Sequence, residues 1–215
     1  MSLNPIRFFA DVLHLASILI LLLKLRAGKS CSGISLKTQE LYAIVFICRY
    51  LDLPYNYDSP YLFLMKLFFL STSIAIVYYM RGPLKFTYDA EQDSFRVIFL
   101  IAPCAVLALI FNMAFTPFEI LWTFSIYLEA VAILPQLFLL QRTGEVSNIN
   151  SHYIFCLGAY RTLYLLNWIW RYFSEDGRTQ WIVWLAGIVQ TAIYCDFFYY
   201  FIQSKYYNKK MELPK

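Results

Sequence analysis

Charge is scarce in this chain, and the scarcity says first what solvent it is built for. Asp, Glu, Lys and Arg make up 15% of 215 residues, against 60% apolar and 20% aromatic ones, and a soluble domain of that length runs closer to about a quarter charged. A fold in water could not hide so much apolar surface. Paired cysteines are missing as well: Cys31, Cys48, Cys104, Cys156 and Cys195 are far apart, with no C-x-x-C spacing and mostly inside apolar runs. That excludes the usual zinc and redox patterns and leaves them as small buried hydrophobes. There is no H-E-x-x-H, no G-x-S-x-G and no Walker-type loop, so nothing nominates an enzyme, a cofactor or a metal site. The net charge of +4 does not gather into a basic stripe on a soluble fold, which argues against nucleic acid. Arg7, Asp11 and His14 stand where a cleavable leader would have its apolar core, so the first apolar run is expected to be retained.

What is present is a succession of apolar runs. A span needs about 20 mostly apolar residues, and the runs fall near 4–25, 38–54, 61–80, 96–114, 117–140, 151–173 and 181–204. The second is the shortest. Thr116-Pro117 ends a tight turn and starts the fifth run, with proline in the first helical turn where its missing N–H costs nothing. The loops after the first, third and fifth runs, with the tail, carry Lys24, Arg26, Lys29, Lys37, Arg81, Lys85, Arg96, Arg142, Lys205, Lys209, Lys210 and Lys215, while the opposite side has essentially Arg178 alone. By the positive-inside rule the C-terminus is cytosolic and the N-terminus is on the other side, which requires an odd number of spans. The expectation is an all-α integral membrane protein, one polytopic domain over 1–215 with seven transmembrane helices in the lipid bilayer and a cytosolic tail from about 205 to 215.

Charged residues inside apolar spans mark an interior site or a water-filled cavity. Arg7, Asp11 and His14, at i, i+4 and i+7, share one face of the first helix. Arg49 and Asp52, at i and i+3 on the second, are spaced to pair with each other. On the fifth, Glu119, Trp122, Ile126 and Glu129 line one face, and on the sixth Arg161, Tyr164, Trp168 and Arg171 repeat the spacing beside Tyr160 and Asn167. The two stripes read as walls of a polar cavity. Plainer readings stand beside this one. Arg7, Lys66 or Arg171 taken singly reads as a side chain snorkelling to the interface, terminal Tyr and Trp as belt residues, and His14 as a satisfied core histidine. Those readings do not explain the joint pattern of arginines interleaved with Asp52, Glu119 and Glu129. Such a set suits a multiply charged, mainly anionic ligand, because arginine grips carboxylates bidentately. Glu119 and Glu129 are ten residues apart, about 15 Å along a helix, too far for paired acid/base work on one bond.

Five segments carry a resemblance: "RFFADVLHLASILILLLK" at 7–24, "GISLKTQELYAIVFICRYLDL" at 33–53, "FTPFEILWTFSIYLEAVAILPQLFLL" at 115–140, "YRTLYLLNWIWRY" at 160–172 and "AGIVQTAIYCDFFYYF" at 186–201. With these the chain resembles the KDEL/HDEL receptors, which retrieve escaped endoplasmic-reticulum proteins from the Golgi. The resemblance implies a SWEET/PQ-loop-like fold of two three-helix parallel repeats and a linking helix, with Leu134-Pro135-Gln136 as the PQ signature. It further implies that Arg7, Arg49 and Arg171 hold an acidic peptide tail and its terminal carboxylate. Asp52 and Glu119 receive the cation four places from the peptide's end, and Trp122, Tyr164 and Trp168 form aromatic walls. His14 becomes the pH sensor, with Glu129, Tyr160 and Arg161 in the network that closes in acid. Lys209-Lys210 resembles the signal read by the COPI coat. The implied location is the cis-Golgi and endoplasmic-reticulum membranes, with a luminal N-terminus and cytosolic C-terminus. The rival from another class is a PQ-loop solute transporter, for which four buried arginines are excessive if the substrate is a neutral sugar.

Overall fold

The structure is a computed structural model whose described residues are 5–55, 60–174, 180–207 and 210–212. Among them the chain is helical: α1 Pro5–Gly28, α2 Leu36–Arg49, α3 Pro60–Arg81, α4 Ile98–Ile110, α5 Pro117–Val131, α6 Leu134–Thr143, α7 Asn148–Ser174 and α8 Trp181–Tyr206. With α5 and α6 taken as one run, Pro117–Thr143, these are seven helical segments at the places read from hydropathy. Four of them are long and apolar enough to cross a membrane: α1, α3, the α5–α6 run and α8. α2 and α4 have 14 and 13 residues. α7 has 27, but carries His152, Arg161, Arg171 and three asparagines.

The way α3 is buried shows what these helices face. It buries Phe69, Ser73, Ile76 and Met80, at i, i+4, i+7 and i+11, and leaves Leu64, Leu67, Ile74 and Tyr78 exposed. A helix that is apolar all round yet uses one stripe for packing is suited to lipid on its other side.

The helix ends follow from local chemistry. Ser35 caps α2, its Oγ accepting from Thr38 N at 3.1 Å. Thr116 caps α5, accepting from Glu119 N at 3.3 Å, with Pro117 in the first turn as expected. α2 stops at Arg49 because Pro54 has no N–H to continue the ladder; the Tyr50 carbonyl accepts from Leu53 N instead, at 3.0 Å. Asp52 therefore lies in the turn that follows and not on the helix, which corrects the i, i+3 pairing read from sequence. Pro135 interrupts the α5–α6 run in the same way, and Gly144, at φ 78°, ends α6 in the left-handed conformation that glycine tolerates.

The chain forms two compact units. The middle unit, Ser30–Leu139, packs α2 on α3 and α5, and α4 on α5. The terminal unit, Met1–Lys29 with Leu140–Lys215, packs α7 on α1 and α8. It also carries a two-residue antiparallel ladder, in which β1 (Glu145–Val146) pairs with β2 (Met211–Glu212) and buries Val146 and Met211. Met211–Glu212, past the end of α8, is thereby tied by strand pairing to the residues just before α7.

Candidate ligand-binding site

In the middle unit, charge meets charge at the end of α2. The Arg49 guanidinium places Nη1 2.5 Å from Glu129 Oε2 on α5. It also donates from Nε to Ser125 Oγ at 3.2 Å and from Nη2 to the Ser125 carbonyl at 3.0 Å. Ser125 Oγ in turn donates to the Trp122 carbonyl at 2.6 Å. The Glu129 side chain is 2% exposed and that of Arg49 15%, so the acid is closed off while the guanidinium keeps an accessible edge. A buried pair of this kind stands only because its lone pairs and protons are satisfied locally.

One turn beyond Arg49, the Asp52 carboxylate takes a different partner, Lys66 Nζ of α3 at 2.5 Å. The Asp52 side chain is 41% exposed and that of Lys66 22%. Glu119 and Trp122, at the start of α5, are half-buried, while Ile126 and Glu129 further along the same stripe are buried. The stripe thus runs from an accessible end to a closed one.

The opposite end of α2 holds a polar lock. Asp93 is 1% exposed and accepts from Ser35 Oγ at 3.0 and 2.9 Å, from Lys37 N at 3.3 Å and from Tyr88 OH at 2.7 Å. A carboxylate at the N-terminus of α2 meets the positive end of the helix dipole. Burial, and then Asp93 beside it, hold the Tyr88 phenol far above its ordinary range. Gln136 joins the lock: its N donates to Thr38 Oγ1 at 3.0 Å, its Oε1 accepts from Ser35 N at 2.8 Å and its Nε2 donates to the Gly33 carbonyl at 2.9 Å. In physical terms Leu134-Pro135-Gln136 breaks a long helix and gives the freed amide and the neighbouring side chain to the cap of α2.

The terminal unit brings its polar residues together between α1, α7 and α8. The His14 ring, buried on α1, stacks on Tyr160 with centroids 4.1 Å apart and planes at 7°. One turn earlier Asp11 accepts from Tyr164 OH. Tyr160, Tyr164 and Trp168 follow one another up α7 with centroids 6.0 and 6.1 Å apart. Arg161, 6% exposed, donates from Nε to Gln190 Oε1 of α8 and lies 5.9 Å from the Tyr160 ring and 5.8 Å from that of Trp168. Burying an arginine against two aromatic faces recovers part of its desolvation cost. Gly187 makes room for Trp168, since a Cβ there would come 2.8 Å from the indole. Arg7 and Arg171 are half-buried on α1 and α7.

The residues singled out in the sequence therefore fall into two groups. Arg49, Asp52, Glu119, Trp122 and Glu129 belong to the middle unit, and Arg7, His14, Tyr160, Arg161, Tyr164, Trp168 and Arg171 to the terminal one. The partner of Arg49 is Glu129, with Ser125, and that of Asp52 is Lys66. Ser125, Gln190 and Asp93 were missed. Ser125 had a signal, three residues after Trp122 and four before Glu129 on the same stripe; Gln190 and Asp93 had none. Lys210 is exposed, and Lys209 lies outside the described residues.

Comparison with known proteins gives these clusters a context. The family profile described as ER lumen protein retaining receptor matches residues 30–171. An ER lumen protein-retaining receptor of Petunia hybrida is 56% identical over 213 residues, covering 98% of this chain and 99% of its own. ER lumen protein-retaining receptor B of Arabidopsis thaliana matches to the same identity and extent. The Drosophila melanogaster ER lumen protein-retaining receptor is 54% identical over 211 residues, again 98% of this chain and 99% of its own. On this end-to-end similarity the chain belongs to the ER lumen protein-retaining receptor family.

Proposed function

We propose that this protein is a sorting receptor that binds the C-terminal Lys- or His-Asp-Glu-Leu signal of escaped luminal proteins in the acidic Golgi. It returns them to the endoplasmic reticulum in COPI vesicles and releases them at neutral pH. What carries the reading is the end-to-end similarity to receptors whose name states that they retain proteins of the ER lumen. The fold in this reading is SWEET/PQ-loop-like, two three-helix parallel repeats with a linking helix, and α2, α4 and α7 cross the membrane with the four segments that are both long and apolar.

The charges fit the ligand. A peptide ending Asp-Glu-Leu with a free carboxylate has three negative groups, preceded by one positive residue. Arg7, Arg49 and Arg171 receive the negative groups, Asp52 and Glu119 the cation, and Trp122, Tyr164 and Trp168 the peptide's apolar surface. The test is affinity for a peptide ending Lys-Asp-Glu-Leu against its C-terminally amidated form. Amidation is expected to weaken binding strongly; equal affinity would remove carboxylate capture.

In this reading His14 supplies the pH response, with Tyr160, Arg161 and Glu129. An ordinary imidazole titrates near about 6.5, between the two compartments. Protonation turns the His14–Tyr160 stack into a cation–π contact with Asp11 one turn away and Arg161 opposing. Binding is thus favoured below the titration and lost above it. Replacing His14 by Ala is expected to flatten the pH dependence of peptide binding, and an unchanged profile would take His14 out of the switch. Lys209 and Lys210 serve as the coat signal. Replacing both should strand the receptor in the Golgi, and normal cycling would count against them.

A further inference from the structure

Lys66 is the one charged residue of α3 before its final Arg81. It lies in the second turn of a helix long and apolar enough to cross a membrane, where an ammonium group is costly without a carboxylate or water. The function proposed above gives it no task. Its partner is Asp52, at 2.5 Å, the residue assigned there to the peptide's cation.

The two ion pairs of the middle unit are built for different uses. In Arg49–Glu129 the carboxylate is 2% exposed and the guanidinium is fastened at two further points by Ser125 of α5, so nothing from outside reaches the acid. In Lys66–Asp52 the acid is 41% exposed while a lysine holds it. Asp52 sits in a turn fixed by backbone bonds from Leu53 N to the Tyr50 carbonyl and from Tyr55 N to the Asp52 carbonyl, each 3.0 Å. Lys66 reaches it on a flexible four-carbon stem. Of the two partners, the lysine is the one free to leave. Asp52 Oδ1 is buried, so exchange takes place at Oδ2, where a second ammonium group arriving from the open side would take the contact that Lys66 makes.

We propose that Lys66 is a built-in competitor for the cation subsite: it occupies Asp52 in the empty receptor and is displaced by the positive residue four places from the peptide's end. This rests on the reading of Asp52 as that subsite. The consequence is a specificity-determining role without contact to the cargo. The gain from the cargo's cation is reduced by the cost of releasing Lys66, which keeps the grip on this residue weak enough to let go.

The experiment uses the full chain in vesicles and two peptides, ending Lys-Asp-Glu-Leu and Ala-Asp-Glu-Leu. Lys66→Gln should raise affinity for the first about three- to fivefold, the upper range of a part-exposed ion pair, and leave the second unchanged. Lys66→Arg, which keeps a competitor, should stay within about twofold of the parent. An equal change for both peptides, or a loss confined to the lysine peptide, would show a merely structural pair and overturn the proposal. A second readout needs no variant. Acetylation of Lys66, read by mass spectrometry, should rise on saturation with the lysine peptide and not with the alanine peptide; no rise would equally overturn it. If the parent binds neither peptide better than an unrelated one, the receptor reading itself fails and the competitor with it. If it binds both and the Lys66 arms are flat, only the competitor fails.

Discussion

The middle unit holds carboxylates of two kinds. Glu129 and Asp93 are 2% and 1% exposed; Asp93 is surrounded by donors and Glu129 is held by the anchored Arg49 guanidinium. Asp52 is 41% exposed, and a lysine reaches it from α3. The difference teaches where a membrane protein places a charge for architecture and where it places one for exchange. A sealed acid changes partners only when the helices around it move with it, whereas an open acid can trade one ammonium for another at small cost.

Four single substitutions and one double replacement test that division, beginning with the largest effect. Glu129→Ala leaves the Arg49 guanidinium buried without its carboxylate, and the expected loss of stability is about 3–5 kcal/mol, read as a fall in unfolding temperature in detergent. Replacing Arg49 and Glu129 together by Met and Leu should recover most of that loss; no recovery would mean that the pair does more than neutralise itself. Asp93→Ala deprives Ser35, Lys37 and Tyr88 of their shared acceptor and should cost about 2–3 kcal/mol, in the same assay, with peptide affinity kept in the protein that remains folded. Ser125→Ala, which removes one hydroxyl from the Arg49 cluster, should cost about 1 kcal/mol. Asp52→Asn should change stability by less than about 1 kcal/mol while removing the preference for a lysine over an alanine four places from the peptide's end. If Asp52→Asn proves as destabilising as Glu129→Ala, the comparison between sealed and open acids fails.

The sequence made the helices legible because each is a mainly apolar run with a proline, a cap or a polar break at its ends. The α7 stripe was legible for a similar reason: Tyr160, Tyr164 and Trp168 lie on one helix, and helical spacing alone brings them together. Partners across helices were not legible. Spacing offered Asp52 to Arg49, yet Pro54 draws Asp52 off the helix, and the acid that Arg49 finds is 80 positions away. Asp93 sits in a polar loop where nothing separates it from Asp89 or Glu91 until the fold brings the cap of α2 against it. The role of Gln136 was open to family resemblance but not to local chemistry, because its partners Gly33, Ser35 and Thr38 lie about a hundred residues upstream.

The break at Pro135 also bears on how the long helix behaves. A proline in such a run ordinarily marks a joint, a place where the backbone flexes and its amides exchange with solvent. Here the amide that loses its helical acceptor is bolted to Thr38, and the side chain beside it spans the cap of α2 with two more bonds. The bend is therefore a weld: amide-hydrogen exchange at Gln136 should be as slow as in the unbroken turns on either side, and motion of the molecule has to find its axis elsewhere.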